Sequence, residues 1–354
     1  MKDRVEKLRR FLDQEKMDGY LIGNEINIQY FTGFLGGTRL LVPKEGASTL
    51  YVPTVNYEAA KEYVRNVEME SIRIGEDVNN KVASQMKRLG FGLIGFDSMD
   101  ASTYLKLREV MEDAELKPAS KLIWSLRRVK DEEEQRCIRK ASELTSSGMK
   151  RAFEAVKVGL RERELASEIE YAMRRNGSDG TAFDTIVVSG VRSAFPHGGC
   201  GDRQIANGDL VVIDIGAKYQ GYCSDLTRTI VVGDTSSKQE ALYQIVLSAQ
   251  NKAMRQIKPA VKASIVDAKA RDLIHKHGYG EYFVHGLGHG VGLEVHEPPT
   301  LKPKSDENLE VGNVLTVEPG VYIPDFGGIR IEDTVLVRKD GYEKLTRAPY
   351  SLQV

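Results

Sequence analysis

Four acidic residues and one histidine occur where they could bind metal ions together. Asp214 interrupts the apolar run 210–216, and Asp225 follows eleven residues later. Gly216 and Gly221 can turn the chain between them, so the two carboxylates could face each other across a hairpin. Two close carboxylates repel each other unless a cation or a shared proton lies between them. Taken alone, Asp214 could equally be a buried structural residue whose carboxylate is hydrogen-bonded.

Glu318 and Glu332 repeat this arrangement near the end of the chain. Glu318 follows an apolar run and directly precedes a Pro-Gly pair, which should break a strand. Residues 329–333 alternate between apolar and polar, so Arg330 and Glu332 are predicted to lie on one face of a strand. Taken alone, Glu332 could instead be a surface residue beside a solvated arginine.

Three of the six histidines, His285, His289 and His296, fall within twelve residues. The spacing of the first two is that of a helical zinc-binding pair. Glycines at alternate positions from 286 to 292 disfavour a helix, and the Glu of an HExxH motif is missing. An extended glycine-rich segment would let the backbone approach a ligand closely. His197 is a fourth candidate, although a lone histidine in such a position is usually structural.

These residue types predict metal-assisted hydrolysis. Carboxylates with one imidazole form a hard, mostly oxygen ligand set, which suits Mn²⁺, Co²⁺ or Zn²⁺ better than a thiolate-binding metal. Four carboxylates balance the charge of two divalent metal ions. Two metal ions in such a site typically lie about 3.5–4 Å apart and activate a water molecule. The predicted metal ligands are Asp214, Asp225, His289, Glu318 and Glu332.

The length of the chain, 354 residues, fits about two domains, because a domain typically contains roughly 100–200 residues. Lys and Arg number 50 against 51 Asp and Glu, which gives no reason to expect nucleic acid or a membrane as a partner. The three cysteines are far apart, the N-terminus lacks an apolar signal core, and no apolar run reaches about 18 residues. We therefore expect a cytoplasmic protein.

Residues 1–126 are predicted to form an α/β domain without clustered histidines, cysteines or paired carboxylates. Its first helix should carry Val5, Leu8, Leu12 and Met17 on its apolar face. The expected strands are Gly19–Gly23, Arg39–Val42, Ser48–Val52 and Gly92–Phe96, and the expected helices are Asn56–Arg65, Asn79–Leu89 and Ser102–Glu112.

Residues 127–354 are predicted to form a larger domain in which two helices followed by strands occur twice. The acidic run 131–134 is typical of a helix start, where the helix dipole is positive. Further helices are expected at Arg161–Arg174, Lys238–Ile257 and Ser264–His277. Strands are expected at Thr185–Ser189, Asp209–Gly216, Thr227–Val232, Val314–Tyr322 and Gly328–Val337.

The whole set resembles the pita-bread metallopeptidases and is most similar to the Xaa-Pro dipeptidases (prolidases) and aminopeptidase P. The resemblance covers nearly the full chain and is strongest at Phe183–Gly198, Gly208–Thr229, His285–Glu297 and Leu315–Thr334. It implies an α+β fold, in which a pita-bread (creatinase/aminopeptidase) domain follows a smaller α/β domain of creatinase type. It also implies a homodimer that binds two divalent ions and cleaves N-terminal Xaa-Pro bonds of dipeptides or short peptides.

The resemblance implies a role for each residue of the site. Asp214 would bind one metal only, Asp225 and Glu332 would bridge both, and His289 and Glu318 would complete the other metal's ligands. Glu318 would also carry a proton from the attacking water to the leaving nitrogen. The residues matching the family's other catalytic groups would position substrate, stabilise the oxyanion and hold the ligands in place: His197, His285, His296, Arg330 and, more weakly, Thr227.

Substrate length is where the chain departs from archaeal-type dipeptidases. Those enzymes carry an arginine four residues after the histidine matching His296, where it would bind the carboxylate of a dipeptide's proline. This chain has Thr300 at that position, with Lys302 and Lys304 nearby. A hydroxyl binds a carboxylate less well than a bidentate guanidinium does. We therefore expect a weaker preference for dipeptides and additional cleavage of Xaa-Pro-Yaa tripeptides.

Three other functions are alternatives within this fold. A methionine aminopeptidase has the same five ligands, but the N-terminal domain of about 125 residues and His285 argue against it. A non-catalytic binding protein of the same fold usually loses ligands, and this chain retains all five. A creatine-hydrolysing relative would not need the metal ligands at all.

Overall fold

Two units make up the chain, which the computed structural model describes from residue 2 to residue 354. The boundary between the units lies between Arg127 and Arg128.

The N-terminal unit is built on one mixed sheet with strand order β4-β3-β2-β1-β5-β6. Strands β1–β2 and β2–β3 pair antiparallel, whereas β3–β4, β1–β5 and β5–β6 pair parallel. The strands are β1 Gly19–Ile22, β2 Arg39–Pro43, β3 Thr49–Pro53, β4 Glu68–Ile72, β5 Leu93–Phe96 and β6 Glu115–Pro118. The helices are α1 Lys2–Gln14, α2 Glu25–Thr32, α3 Thr54–Tyr63, α4 Val78–Arg88, α5 Ala101–Val110 and α6 Ser120–Arg127.

The apolar face predicted for the first helix is confirmed for Val5, Leu8 and Leu12, which are buried; Met17 is buried too, but it lies beyond the end of α1 at Gln14. The sequence did not predict α2, β4, β6 and α6. Helix α2 is only eight residues long, too short for its apolar residues to show a helical period. It begins where the side chain of Asn24 accepts a hydrogen bond from a backbone amide inside the first turn.

Four helices and four small sheets form the C-terminal unit. The helices are α7 Glu132–Ala155, α8 Glu162–Arg175, α9 Ser237–Met254 and α10 Ala263–Lys276. The strands are β7 Gly180–Thr181, β8 Ile186–Ser189, β9 Asp209–Ile215, β10 Ala217–Tyr219, β11 Tyr222–Cys223, β12 Leu226–Val232, β13 Gly288–Gly290, β14 Glu297–Leu301, β15 Val314–Val317, β16 Gly320–Ile323, β17 Gly327–Arg330, β18 Asp333–Arg338 and β19 Gly341–Lys344. Their sheet orders are β11-β10-β7, β12-β9-β8, β14-β13-β15-β18-β19 and β16-β17.

The predicted repetition of two helices followed by strands is confirmed. Helix α7 begins as expected, because Asp131 and Glu134 each bond the other's backbone amide in a capping box. Helices α7 and α8 share one apolar core with β9 and β12, and α9 and α10 share another with β15 and β18. Burial of these helix faces fixes the strands that carry the candidate site.

Two predicted strands are each divided in the structure, the first of them at the Pro-Gly pair that was expected to break it. Residues 314–322 form β15 and β16 rather than one strand, and residues 328–337 form β17 and β18. Strand β15 pairs with β18, while β16 pairs with β17 in a separate sheet. Glu318 lies in the first break and Glu332 in the second. Glu332 is therefore not part of a continuous alternating strand. The direction of its side chain is set by the backbone between β17 and β18.

Among residues 2–354, none of the helices combines the length and the apolar character that a membrane span needs.

Candidate metal centre

All nine candidate site residues line one cavity of about 730 Å³ in the C-terminal unit. The five predicted metal ligands contribute to its wall, and so do His197, His285, His296 and Arg330. Its volume is within the range of about 300–1,000 Å³ that is common for small-molecule sites.

The two aspartates come from neighbouring strands of one hairpin. Asp214 lies in β9 opposite Thr227 of β12, and Asp225 directly precedes β12. Arg330 Nη2 donates to Asp214 Oδ2 at 2.6 Å. The hairpin predicted from the sequence is therefore present, and it places both aspartates at the same cavity.

Both glutamates are fixed by backbone and hydroxyl contacts at the strand breaks. The amide of Glu318 donates to Leu287 O at 2.8 Å, and Thr316 Oγ1 donates to Glu318 Oε1 at 3.1 Å. The amide of Glu332 donates to Thr227 O at 3.1 Å, and Thr227 Oγ1 donates to Glu332 Oε2 at 2.6 Å. These contacts leave the other carboxylate oxygens to face the cavity.

His289 presents one ring nitrogen to the carboxylates. Its Nδ1 lies 3.1 Å from Gly290 O, so a proton on Nδ1 leaves the Nε2 lone pair for a ligand. Nε2 is 3.1 Å from Glu318 Oε1 and 3.7 Å from Asp225 Oδ2. A metal-binding histidine uses this neutral tautomer. Burial opposes a further proton on Nε2, yet the hydrogen bond and charge of Glu318 outweigh burial and raise the His289 pKa.

Three buried carboxylate oxygens in this group have no hydrogen-bond partner among the described residues: Asp214 Oδ1, Asp225 Oδ1 and Glu332 Oε1. Burial, followed by the charge of a neighbouring glutamate, raises the pKa of both Asp225 and Glu332 well above the ordinary value. Burial also opposes the charge on Glu318, yet the bond and charge of His289 outweigh it and lower the Glu318 pKa to about 2. The cluster therefore holds more negative charge than the protein compensates.

Divalent cations fit this cluster. Asp225, His289 and Glu332 each offer a ligand atom, and these atoms all lie within 4.8 Å of one another. A cation would occupy the unpartnered oxygens and remove the repulsion that raises the carboxylate pKa values. The donors are carboxylate and imidazole without thiolate, which is a set for a hard or borderline ion.

Tyr322 is a member of the site that the sequence did not single out. Its hydroxyl accepts from Arg330 Nη1 at 2.7 Å and lies 3.0 Å from His285 Nε2. Since His285 Nδ1 lies 2.7 Å from Gly286 O, a proton there leaves Nε2 to accept from the tyrosine. Burial raises the Tyr322 pKa to about 12, so the phenol keeps its proton. One hydrogen-bonded chain thus connects His285 to Asp214 through Arg330.

The remaining two histidines stand closer to solvent. His197 and His296 are both exposed at the cavity. The ring of His296 packs edge-on against that of His289, with centroids 4.3 Å apart. Burial, followed by the positive charge of His289, lowers the pKa of His296. A neutral imidazole at this place can donate or accept a hydrogen bond from substrate.

The glycines of the histidine segment allow neighbouring strands to pack closely. A Cβ at Gly288 would lie 2.2 Å from Thr316 O, and a Cβ at Gly290 would lie 2.4 Å from Pro298 O. Gly286 and Gly288 also line the cavity, where close approach of the backbone to a ligand stays a prediction. The segment forms the short strand β13, so the prediction that it is not helical is confirmed.

The cavity wall of the described chain contains one arginine and no lysine. That arginine, Arg330, is buried and bonded to Asp214, Tyr322 and Pro196 O. Thr300 lines the cavity, whereas Lys302 and Lys304 are exposed and lie outside its lining. A substrate carboxylate therefore meets no accessible lysine or arginine in this wall.

Comparison with known proteins finds two family models that match successive parts of the chain. Residues 136–339 match the model of metallopeptidase family M24, and residues 4–129 match that of the creatinase/prolidase N-terminal domain. The Xaa-Pro dipeptidase of Pyrococcus furiosus is 42% identical over 99% of this chain and 100% of its own length.

Two solved structures are similar over almost the whole chain. The prolidase from Pyrococcus horikoshii has a TM-score of 0.93 and 42% identity, covering 99% of each chain. The X-Pro aminopeptidase from Thermotoga maritima has a TM-score of 0.92 and 34% identity, also covering 99% of each chain. These matches confirm the predicted fold, with a creatinase-type α/β domain followed by a pita-bread domain.

Proposed function

Because the chain belongs to metallopeptidase family M24, we propose that it uses two divalent metal ions to hydrolyse the Xaa-Pro bond at the N-terminus of short peptides. The observation that carries this proposal is the set of buried carboxylate oxygens without a hydrogen-bond partner on Asp214, Asp225 and Glu332, two of which belong to one group of potential ligands with His289. Relatives named as Xaa-Pro dipeptidase and X-Pro aminopeptidase support the choice of scissile bond.

The metals would be held by Asp214, Asp225, His289, Glu318 and Glu332. Asp225, His289 and Glu332 offer ligand atoms within 4.8 Å of one another, which makes them the central candidates for holding a metal ion. When bound, the ions supply an activated water and polarise the scissile carbonyl. We propose Mn²⁺ or Co²⁺ first, with Zn²⁺ as a further candidate.

Glu318 is proposed to move the proton that the reaction requires. The leaving nitrogen of an Xaa-Pro bond belongs to a tertiary amide, so it must gain a proton before it can leave. Glu318 holds its carboxylate at the cavity, next to His289, with Thr316 fixing one oxygen. It can take a proton from the attacking water and pass it to the proline nitrogen.

His197, His285 and His296 are proposed to position the substrate and to bind the oxygen on which negative charge develops. His285 is held by the Tyr322 hydroxyl, and Arg330 holds that tyrosine in turn. Arg330 also fixes Asp214 directly and bonds Thr227, whose hydroxyl binds Glu332. The proposed function of Arg330 is therefore to orient the metal ligands rather than to contact the substrate.

We propose that the enzyme accepts Xaa-Pro-Yaa peptides as well as dipeptides. The wall of the cavity offers Thr300 where a carboxylate-binding arginine would strengthen dipeptide binding. Relatives of both kinds, dipeptidase and aminopeptidase, cover the chain equally well.

A metal-exchange experiment tests the proposal. A chelator should abolish Xaa-Pro hydrolysis, Mn²⁺ or Co²⁺ should restore it, and elemental analysis should find two ions per reloaded chain. Full activity of a demetallated sample would contradict the mechanism. Met-Xaa peptides without proline serve as the comparison, because their preferential cleavage would favour the methionine aminopeptidase alternative. A protein that binds metal but cleaves neither class would be a non-catalytic member of the fold.

A homodimer and a cytoplasmic location remain predictions, which gel filtration and cell fractionation would test.

A further inference from the structure

We propose that Glu162, which does not line the cavity, is the positioning residue for His197, an inference that rests on the proposed function of that histidine. Glu162 is the first residue of α8, and its side chain is fully buried. Its side-chain contacts lie directly before residues 190–201, which we call the His197 segment, within that segment and at its last residue.

The carboxylate of Glu162 holds both ends of this segment. Oε1 accepts from the amide and the hydroxyl of Ser189, both at 2.8 Å, at the end of β8. Oε2 accepts from the amide of Gly201 at 2.9 Å and from Arg192 Nη1. Arg192 then donates from Nη2 to Gly199 O at 2.8 Å. One buried carboxylate therefore fixes the backbone on both sides of His197.

Gly201 packs closely against the side chains of Glu162 and Arg192. A Cβ on Gly201 would lie 2.9 Å from Arg192 Nη1 and 3.0 Å from Glu162 Oε2. Ser189 is bonded from its other side by Arg203 Nη1 at 2.6 Å, and Arg203 is also paired with Asp209 at the start of β9. The carboxylate is thus compensated by hydrogen bonds and by Arg192, as a buried charge must be.

The His197 segment connects this cluster to the candidate metal centre. Pro196 O accepts from Arg330 Nη1 at 3.2 Å, and Ser193 Oγ accepts from the amide of Gly328 at 2.9 Å. His197 itself is exposed at the cavity, on the backbone between these contacts. Its placement therefore depends on the backbone that Glu162 holds.

Glu162→Gln keeps the size of the side chain but places an amide group among donors that need an acceptor. We expect kcat for an Xaa-Pro substrate to fall about 10- to 100-fold with KM within about twofold, because the proposed role of His197 is in the transition state. The same substitution in a His197→Ala background should change kcat by less than about threefold, since residues that act together are not additive. Bound metal should be unchanged.

Hydrogen exchange of the metal-loaded protein gives a readout that needs no substrate. Glu162→Gln should speed exchange of the amides of Ser189 and Gly201 while peptides from α9 keep their protection. Arg192→Met removes a partly exposed partner and should cause the same changes to a smaller degree. Glu170→Gln is the matched control, because Glu170 is exposed on the same helix.

The outcomes separate the two proposals. Equal loss of kcat in both backgrounds, loss of metal, or unchanged exchange of the His197 segment would overturn the role of Glu162. Absence of Xaa-Pro hydrolysis in the wild type would instead overturn the proposed function, while the exchange result would still test how Glu162 holds the segment.

Discussion

Thr300→Arg is the substitution that tests most directly how the cavity selects substrate length. Thr300 lines the cavity, and the one arginine in its wall, Arg330, is already bonded to Asp214 and Tyr322. A guanidinium at position 300 would give the free carboxylate of a dipeptide's proline a bidentate partner. In an Xaa-Pro-Yaa peptide that carboxylate is replaced by an amide, so the same arginine gains little.

The size of the effect follows from the competing interactions. A hydrogen bond to a charged group contributes about 1.5–3 kcal/mol, which corresponds to roughly 10- to 150-fold in kcat/KM. Glu307 could compete for the new arginine, because its Oε2 accepts from the amide of Thr300 at 2.9 Å. Glu307 is half-buried and already paired with Arg128, 3.6 Å away. Ion pairs near the surface contribute only about 0.2–1 kcal/mol, so the arginine should still favour the substrate carboxylate.

The assay compares kcat/KM for matched Xaa-Pro and Xaa-Pro-Yaa substrates. Wild type should cleave both, and Thr300→Arg should raise the ratio in favour of the dipeptide by about 10- to 150-fold. Thr300→Gln is the control for added length without charge and should leave the ratio within about threefold. Thr300→Arg combined with Glu307→Gln removes the competing carboxylate and should give the larger gain.

A wild-type dipeptide advantage above about a hundredfold that Thr300→Arg leaves unchanged would refute this reasoning. The carboxylate would then be bound by another group. Lys302 and Lys304 would be tested next by substitution with Met, although both are exposed outside the cavity wall.

Three further results are expected. Glu332→Ala should lose bound metal and activity together, whereas His197→Ala should keep both metals and lose turnover; metal loss in the latter would show that His197 is a ligand. We expect the enzyme to cut only the trans form of the Xaa-Pro bond. Excess enzyme should then consume the peptide in a fast phase followed by a slow phase of about tens to hundreds of seconds, which a prolyl isomerase should shorten. A single fast phase would contradict this expectation. Lys130→Met should lower the free energy of unfolding by about 3–5 kcal/mol, because it leaves the buried carboxylate of Glu297 without the ammonium that lies 3.0 Å away. Lys140→Met, at an exposed ion pair, should cost at most about 1 kcal/mol in the same denaturant titration.

Local patterns in the sequence were sufficient for most helices and strands. Helical spacing of apolar residues and the acidic run before α7 predicted elements that the structure contains, because period and capping depend on neighbours within one or two turns. The hairpin that brings Asp214 and Asp225 to one cavity was also predictable, since the turn and both strands lie within a few residues. The candidate metal ligands could likewise be named from the sequence of the short segments that carry them.

Contacts between distant segments were decided only by the tertiary structure. The break at Glu318 was predictable from Pro319 and Gly320, whereas the break at Glu332 exists because β17 and β18 pair in different sheets, a choice that apolar alternation does not encode. Tyr322 is one of 15 tyrosines, and nothing beside it in the sequence marks it as the partner of His285. Glu162 likewise resembles any acidic residue at a helix start, because its partners lie 27 to 39 residues further along the chain. Side chains whose role depends on a partner brought close by folding carry no local signal of that partner.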